Sequence, residues 1–205
     1  MNTPNTSNRV SVRRAGRPDR GVVVATVVAA FVRDPAFRFF FPDDAAYPQQ
    51  AAAFVGYLFD KRLRDATVWM HGDGSAVALW SPPGTNPHRD APPDVLRLRA
   101  AMIDAIGPDA AGRLGEYDAA VSGALPTAEA YWYLGVLACL PARAGSGLGS
   151  AVMRVGMGEA RSQGTPAYLE TTNPANVGYY ERAGWRVTAT IPDALPVSVW
   201  VLRAD

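Results

Sequence analysis

Hydrophobic and polar positions along this 205-residue chain change period several times, and each change marks an element. "RVSVRR", residues 9–14, alternates and reads as a first strand. A turn at "AGRPDR" leads into the apolar run "GVVVATVVAAFV", residues 21–32, read as a helix. Asp34-Pro35 ends it, because a proline ring and a missing N–H stop helical continuation. A second helix is expected over residues 47–64. "ATVWMHGDGSAVALWSPP" holds two β-rich runs joined at "HGDG", where Asp73-Gly74 signals a hairpin. Residues 84–126 read as a helical pair punctuated by Gly107-Pro108. "AYWYLGVLACL" is apolar and aromatic on both sides, as in a central strand covered on both faces. "GSAVMRVGMGEARSQG" has helical spacing and closes at Gly164, a C-cap. "PAYLETT" then reads as a strand, "PANVGYYERAG" as a short helix, and "WRVTATI" and "PVSVWVLR" as two closing strands.

This order predicts an α+β fold, a mixed α/β layer of strands with helices packed on it. Neither a repeat nor a linker divides the chain, so residues 9–205 are expected to form one domain. Residues 1–8, small and polar, are expected to be a disordered tail.

Composition narrows the partners. Twenty basic against nineteen acidic residues give a net charge of +1, so nothing electrostatic favours nucleic acid or an anionic membrane. The apolar run at residues 21–32 is too short to span a bilayer and lies too far along the chain for a signal peptide. The expectation is a soluble, cytoplasmic protein. Cys139 is the single cysteine and sits in an apolar run, which suits packing and a reducing compartment. His71 and His88 have no partners at metal-ligand spacing and a lone cysteine makes no zinc site, so no metal is expected.

Chemistry concentrates in "LACLPARAGSGLGSAVM", residues 137–153. A strand that passes through spaced glycines into a helix leaves backbone N–H groups pointing outward, with the positive end of the helix dipole behind them. That is an anion site. Gly145, Gly147 and Gly149 allow close backbone approach, and Ser146 and Ser150 can add hydroxyl donors. Such glycines also serve tight turns and helix–strand packing. No "GK[ST]" follows, which argues against a nucleoside triphosphate loop, and no βαβ unit follows, which argues against dinucleotide binding.

Read together with "YLETTNPANVGYYERAGW" some fifteen residues later, this segment resembles the GNAT superfamily of acyl-CoA-dependent N-acyltransferases. "VWMHGDGSAVALWSPP" and "AYWYLGVL" extend the likeness towards the puromycin N-acetyltransferase branch, over residues 9–203. Residues 84–126 match least, and acceptor contacts are expected there. The resemblance implies a mixed, mostly antiparallel central sheet flanked by helices, with a helical insertion before the fourth strand. It also implies acetyl transfer from acetyl-CoA (coenzyme A) to the primary amine of a small molecule, such as an aminonucleoside or other antibiotic, by direct attack in a ternary complex. A homodimer is left open.

Carried over by position, the resemblance places the backbone of Leu137, Ala138 and Cys139 along the donor, with the Leu137 N–H facing the thioester oxygen and Cys139 pairing with pantetheine. Arg143, Ala144, Gly145, Ser146, Gly147, Leu148, Gly149 and Ser150 would hold the pyrophosphate. Asn176, Tyr180 and Arg182, in the segment that also holds Glu181, Gly184 and Trp185, would lie beside the pantetheine arm. Tyr180 would donate to the departing thiolate and Glu170 would take the amine proton. Relatives that place a glutamate or histidine on the preceding strand differ from this chain, which has Tyr133 near there. The family's usual glutamine or arginine at the first loop position is replaced by Ala144, with Arg143 one residue earlier. Trp80, Trp132 and Tyr131 are read as core or as acceptor lining, and Asp43, Asp44 and Glu116 as solvated surface or as partners for a cationic amine. Protein or peptide N-acetylation and a non-catalytic coenzyme A-binding module stand as alternative functions.

Overall fold

The computed structural model describes residues 11–85, 91–192 and 196–205; the expected tail at residues 1–8 and His88 fall outside them. The elements run β1 (Val12–Arg14), α1 (Arg20–Ala30), α2 (Pro35–Phe40), α3 (Tyr47–Leu63), β2 (Val68–His71) and β3 (Ala76–Ser81). They continue with α4 (Pro93–Ile106), α5 (Pro108–Ala124), β4 (Trp132–Cys139), α6 (Leu148–Ser162), β5 (Ala167–Thr171), α7 (Pro174–Arg182), β6 (Arg186–Ile191) and β7 (Val199–Ala204). The seven strands form one sheet in the order β1-β2-β3-β4-β5-β7-β6. The β4–β5 pair is parallel and the others antiparallel. This is the expected α+β architecture, and the helical pair α4–α5 precedes the fourth strand as expected.

One element was not expected. Asp34-Pro35 was read as a stop, yet it also starts α2: the Asp34 carboxylate accepts from the Ala36 and Phe37 N–H groups at 3.0 and 3.2 Å, and Pro35 takes the first helical position. An N-cap acid followed by proline is pre-organised to begin a helix as well as to end one. The tight turn between β2 and β3 falls where expected, with Gly74 in the left-handed region at φ +77°.

Strand residues alternate between two cores because helices cover both faces of the sheet. Val68, Met70, Val77 and Leu79 join α1 to α5 and the phenylalanine cluster of α2. Trp69, Ala76, Ala78 and Trp80 point the other way, against α6 and Trp185. Trp80 is fully buried and stacks on Trp185 with ring centroids 6.3 Å apart. The indole fits only because α6 carries Gly156 beneath it: a Cβ there would overlap the ring. Gly156→Ala therefore destabilises the fold by about 1–3 kcal/mol from overpacking, less about 1 kcal/mol of helix propensity regained. Urea denaturation checks it; a variant as stable as the parent would show that Trp80 is free to move.

Candidate active site

The site is built on an irregularity in β4. Leu79 lies opposite Val136 but Trp80 lies opposite Leu134, so Gly135 is an extra residue, a β-bulge. The bulge reverses the alternation: Tyr133 before it and Val136 and Ala138 after it share the α1–α5 face. The Leu140 N–H donates to the Ser75 carbonyl at 2.8 Å, which sets the phase of this part of the ladder. By alternation the amides of Val136 and Ala138 turn to β3, and those of Leu137 and Cys139 turn towards β5.

Those two amides meet no ladder, because parallel pairing between β4 and β5 stops at Leu134 opposite Leu169. From there β5 follows β7 as far as Thr171. The strands diverge into a wedge whose β4 edge carries the Leu137 and Cys139 N–H groups. Ala138, expected beside them, instead gives its backbone to β3 and its methyl to the core.

The glycine loop closes one end of the wedge. Gly145 and Gly147 are left-handed, at φ +75° and +81°, and a Cβ on either would meet nothing within 4 Å, so the outer face of the loop is open. Gly147 is the N-cap of α6 and no side chain caps that helix, so its first-turn N–H groups have no partner within the helix. Together they have the geometry that suits an anion. Leu148 anchors the loop through a buried side chain.

The loop's side chains behave differently from expectation. Ser146 is exposed and folds back on its own loop: its hydroxyl and its N–H both donate to the Arg143 carbonyl, at 2.5 and 3.3 Å. The Ser150 hydroxyl lies 3.0 Å from that of Tyr179, so Tyr179 braces the start of α6. Arg143 lies 3.5 Å from the Asp73 carboxylate in the β2–β3 turn, an exposed pair of small energy that leaves the guanidinium free to move. Ala144 is exposed and adds no polar group. Burial pushes the Cys139 thiol up, and its Sγ donates to the Arg143 carbonyl at 3.4 Å, which suits an unreactive packed residue.

Helix α7 flanks the wedge. Asn173 caps it by accepting from the Ala175 N–H at 3.0 Å, and Asn176 in its first turn reaches Thr171 Oγ1 at 3.5 Å. Arg182 is exposed. Tyr180 is buried between Tyr179 and Trp185, with centroids 5.2 and 6.2 Å away, and its hydroxyl has no hydrogen bond among the described residues. Burial, with Tyr179 and the charge of Glu170 in support, raises its pKa, so the hydroxyl keeps its proton at neutral pH.

Glu170 lies across the sheet from Tyr180, in a cavity of about 480 Å³ between α3, α4, α5 and the diverging strands. Tyr133 donates to its Oε2 at 2.5 Å and Tyr117 to its Oε1 at 3.5 Å. Protein surrounds the carboxylate although solvent reaches part of it. Burial pushes Glu170 up to about 7; the Tyr133 hydrogen bond opposes this and the charge of Asp118 adds to it. Burial and the carboxylate together raise both tyrosines well above their usual range, so they stay donors. A carboxylate raised to about 7 in a cavity that solvent partly reaches is fitted to accept a proton at physiological pH.

Trp80 and Trp132 are buried on the opposite, α6 face, where Trp132 Nε1 donates to Gln163 at 3.0 Å. Tyr131 packs on Tyr168 and borders a smaller depression. Asp44 pairs with Arg38 at 2.7 Å, Asp43 caps the Ala45 N–H at 2.8 Å, and Glu116 is exposed, so all three are surface. The lining brings in Arg99, Tyr117 and Asp118 from residues 84–126, where acceptor contacts are expected, together with Tyr133, Lys61 and Arg62, which had no expected role there. Lys61-Arg62, after Asp60 at the end of the apolar run "FVGYLF", was the available signal. Among the described residues no group of three His, Cys, Asp or Glu side chains forms a metal site, and no helix is long and apolar enough to cross a membrane.

Similar architecture recurs in solved structures. The histone acetyltransferase HPA2 and related acetyltransferase of Corynebacterium glutamicum is 23% identical, with 94% of each chain covered and a TM-score of 0.61. Arylalkylamine N-acetyltransferase 2 from Aedes aegypti is 12% identical, with 96% of this chain and 98% of that one covered and a TM-score of 0.67. The Drosophila melanogaster polyamine N-acetyltransferase that forms N-acetylagmatine is 14% identical, with 94% and 98% covered and a TM-score of 0.60. At these identities the likeness is one of fold. The model of the acetyltransferase (GNAT) family matches residues 77–185, more than half of the chain, from β3 through the bulged strand and glycine loop to Trp185. With the divergent strands and the glycine loop lying inside that match, the chain belongs to the acetyltransferase (GNAT) family of enzymes.

Proposed function

We propose that the protein transfers an acetyl group from acetyl-CoA to the primary amine of a small molecule held in the cavity beside Glu170. The observation that carries this reading is the wedge itself: outward amides on one edge, a protonated tyrosine on one face of the sheet, and a carboxylate poised near 7 on the other. The residues present fit the donor, since the outward N–H groups of the loop and the open space above Gly145 and Gly147 suit a pyrophosphate. Acetyl-CoA, when bound, supplies the activated acyl group. The Leu137 N–H is placed to polarise the carbonyl oxygen, Glu170 to accept the amine proton, and Tyr180 to give a proton to the leaving sulfur. Tyr133 and Tyr117 hold Glu170 in place by donating to it. Helices α4 and α5 wall the cavity, which favours a small acceptor over a protein chain lying in an open groove.

The test is amine-dependent thiol release from acetyl-CoA, with the acetylated product identified by mass spectrometry. Release that tracks added amine supports the reading; no release above hydrolysis, despite coenzyme A binding, favours the non-catalytic alternative. Gly147→Val separates the glycine loop from the rest of the site. Its Cβ would stand on the open face of the loop, and a branched residue at φ +81° is strained by about 1–2 kcal/mol. Coenzyme A affinity is expected to fall at least 10-fold in calorimetry, with Tm lower by a few degrees. Unchanged affinity in the folded variant would remove the loop from the site.

A further inference from the structure

The cavity holds more positive charge than an amine needs. Lys61 and Arg62 end α3, Arg99 comes from the adjacent α4, and all three line the wall, with Glu170 and Asp118 among the other lining residues. Arg62 is 2% exposed. Its Nη1 donates to the Leu58 carbonyl at 3.1 Å, but its Nε has no partner among the described residues. Its Nη2 lies so close to the bulge that a Cβ on Gly135 would overlap it. Glu170 and Asp65 answer part of its charge, but a buried guanidinium with a donor left unpaired remains unfavourable. Gly135, which gives β4 its bulge beside the wedge, is also the residue that admits this guanidinium.

Lys61 lies beside it. Its ammonium sits 5.2 Å from the Tyr57 ring centre, and burial, with Arg62 and Arg99 adding and the charge of Asp118 opposing, depresses its pKa to about 7. Arg99 is exposed at the rim. Phe37, Phe40, Phe54 and Tyr57 supply the apolar remainder of the wall.

Resting on the acyl-transfer reading above, we propose that the acceptor is an amine that also carries an acid group, an apolar α-amino acid or a close relative. Its amine faces Glu170, its carboxylate is taken by Arg62 with Lys61 and Arg99, and its side chain lies on the phenylalanines. A planar guanidinium matches a carboxylate in two parallel hydrogen bonds. A diamine fits less well, because beyond Glu170 its second cation would meet Lys61, Arg62 and Arg99 with only Asp118 against them. The cavity of about 480 Å³ is roomy enough for a single amino acid with a large side chain.

The test compares matched pairs by thiol release from acetyl-CoA: phenylalanine against phenethylamine and leucine against isopentylamine, with agmatine as the dication. The acid-bearing member of each pair is expected to have kcat/KM higher by about 10- to 100-fold, the size of a charge-assisted contact. Arg62→Met should abolish that preference. If that variant does not fold, the exposed Arg99→Gln should still raise KM for the amino acids several-fold more than for the plain amines. Plain amines or agmatine used as well as the amino acids, or a preference unmoved by a folded variant, would overturn the inference while leaving N-acetyl transfer intact. No turnover of any compound would count against the transfer reading itself, and the inference falls with it.

Discussion

Replacing Tyr180 with phenylalanine is expected to lower kcat by about 100- to 10,000-fold, the usual contribution of a positioned proton donor, with KM for acetyl-CoA nearly unchanged. The reasoning is geometric. The ring is buried against Tyr179 and Trp185, and phenylalanine keeps that packing. The hydroxyl has no hydrogen bond to the described residues, so its removal leaves no protein group unpaired and costs little stability. What disappears is a donor kept protonated by burial, on the α7 side of the wedge. Rapid-mixing and steady-state kinetics, with thermal denaturation alongside, check this. A variant with wild-type kcat would mean that the sulfur finds its proton elsewhere.

Glu170→Gln is expected to lower kcat/KM over the same range and to change the shape of the pH profile. Glu170 works as a base only when ionised, and burial places its pKa at about 7. Wild-type kcat/KM therefore rises through pH 7, and the variant loses that limb. Stability moves the opposite way. An acid whose pKa is raised on folding lends its stability below the unfolded value near 4.5 and loses it as pH climbs through 7. Above pH 7 the ionised, desolvated carboxylate thus burdens the fold by up to about 3 kcal/mol, and the glutamine variant should be the more stable protein there. Urea midpoints at pH 5 and pH 8.5 separate the cases. A flat difference between the two pH values would show that Glu170 titrates normally and is no tuned base.

The sequence carried most of the architecture because binary patterning is strong where a face is buried. The double alternation of "AYWYLGVLACL" foretold a strand covered on both sides, and Asp73-Gly74 foretold the β2–β3 turn. Gly145 and Gly147 foretold a loop with positive φ and an open outer face, needs that glycine meets best. Other features were illegible. The bulge at Gly135 depends on register with β3, a long-range property that leaves no local signature beyond one glycine. The cavity wall draws on α3, α4, α5 and β5; residues 84–126 stood out only as a region, and nothing in the spacing of Lys61, Arg99 and Glu170 announces that they share a cavity. Trp80 and Trp132 were weighed as acceptor lining or core, and the structure decides for core: alternation fixes only that they share a face, not which face holds the cavity.

The account rests on a donor seated between β4 and β5 with its phosphates on the loop. Titrating coenzyme A into isotope-labelled protein while recording amide resonances tests it directly. Saturable shifts concentrated at Leu137, Cys139, Gly145, Gly147 and Leu148, with the β1 and β6 edges silent, are the predicted result. Saturable binding that moves amides elsewhere and leaves these unshifted would contradict it.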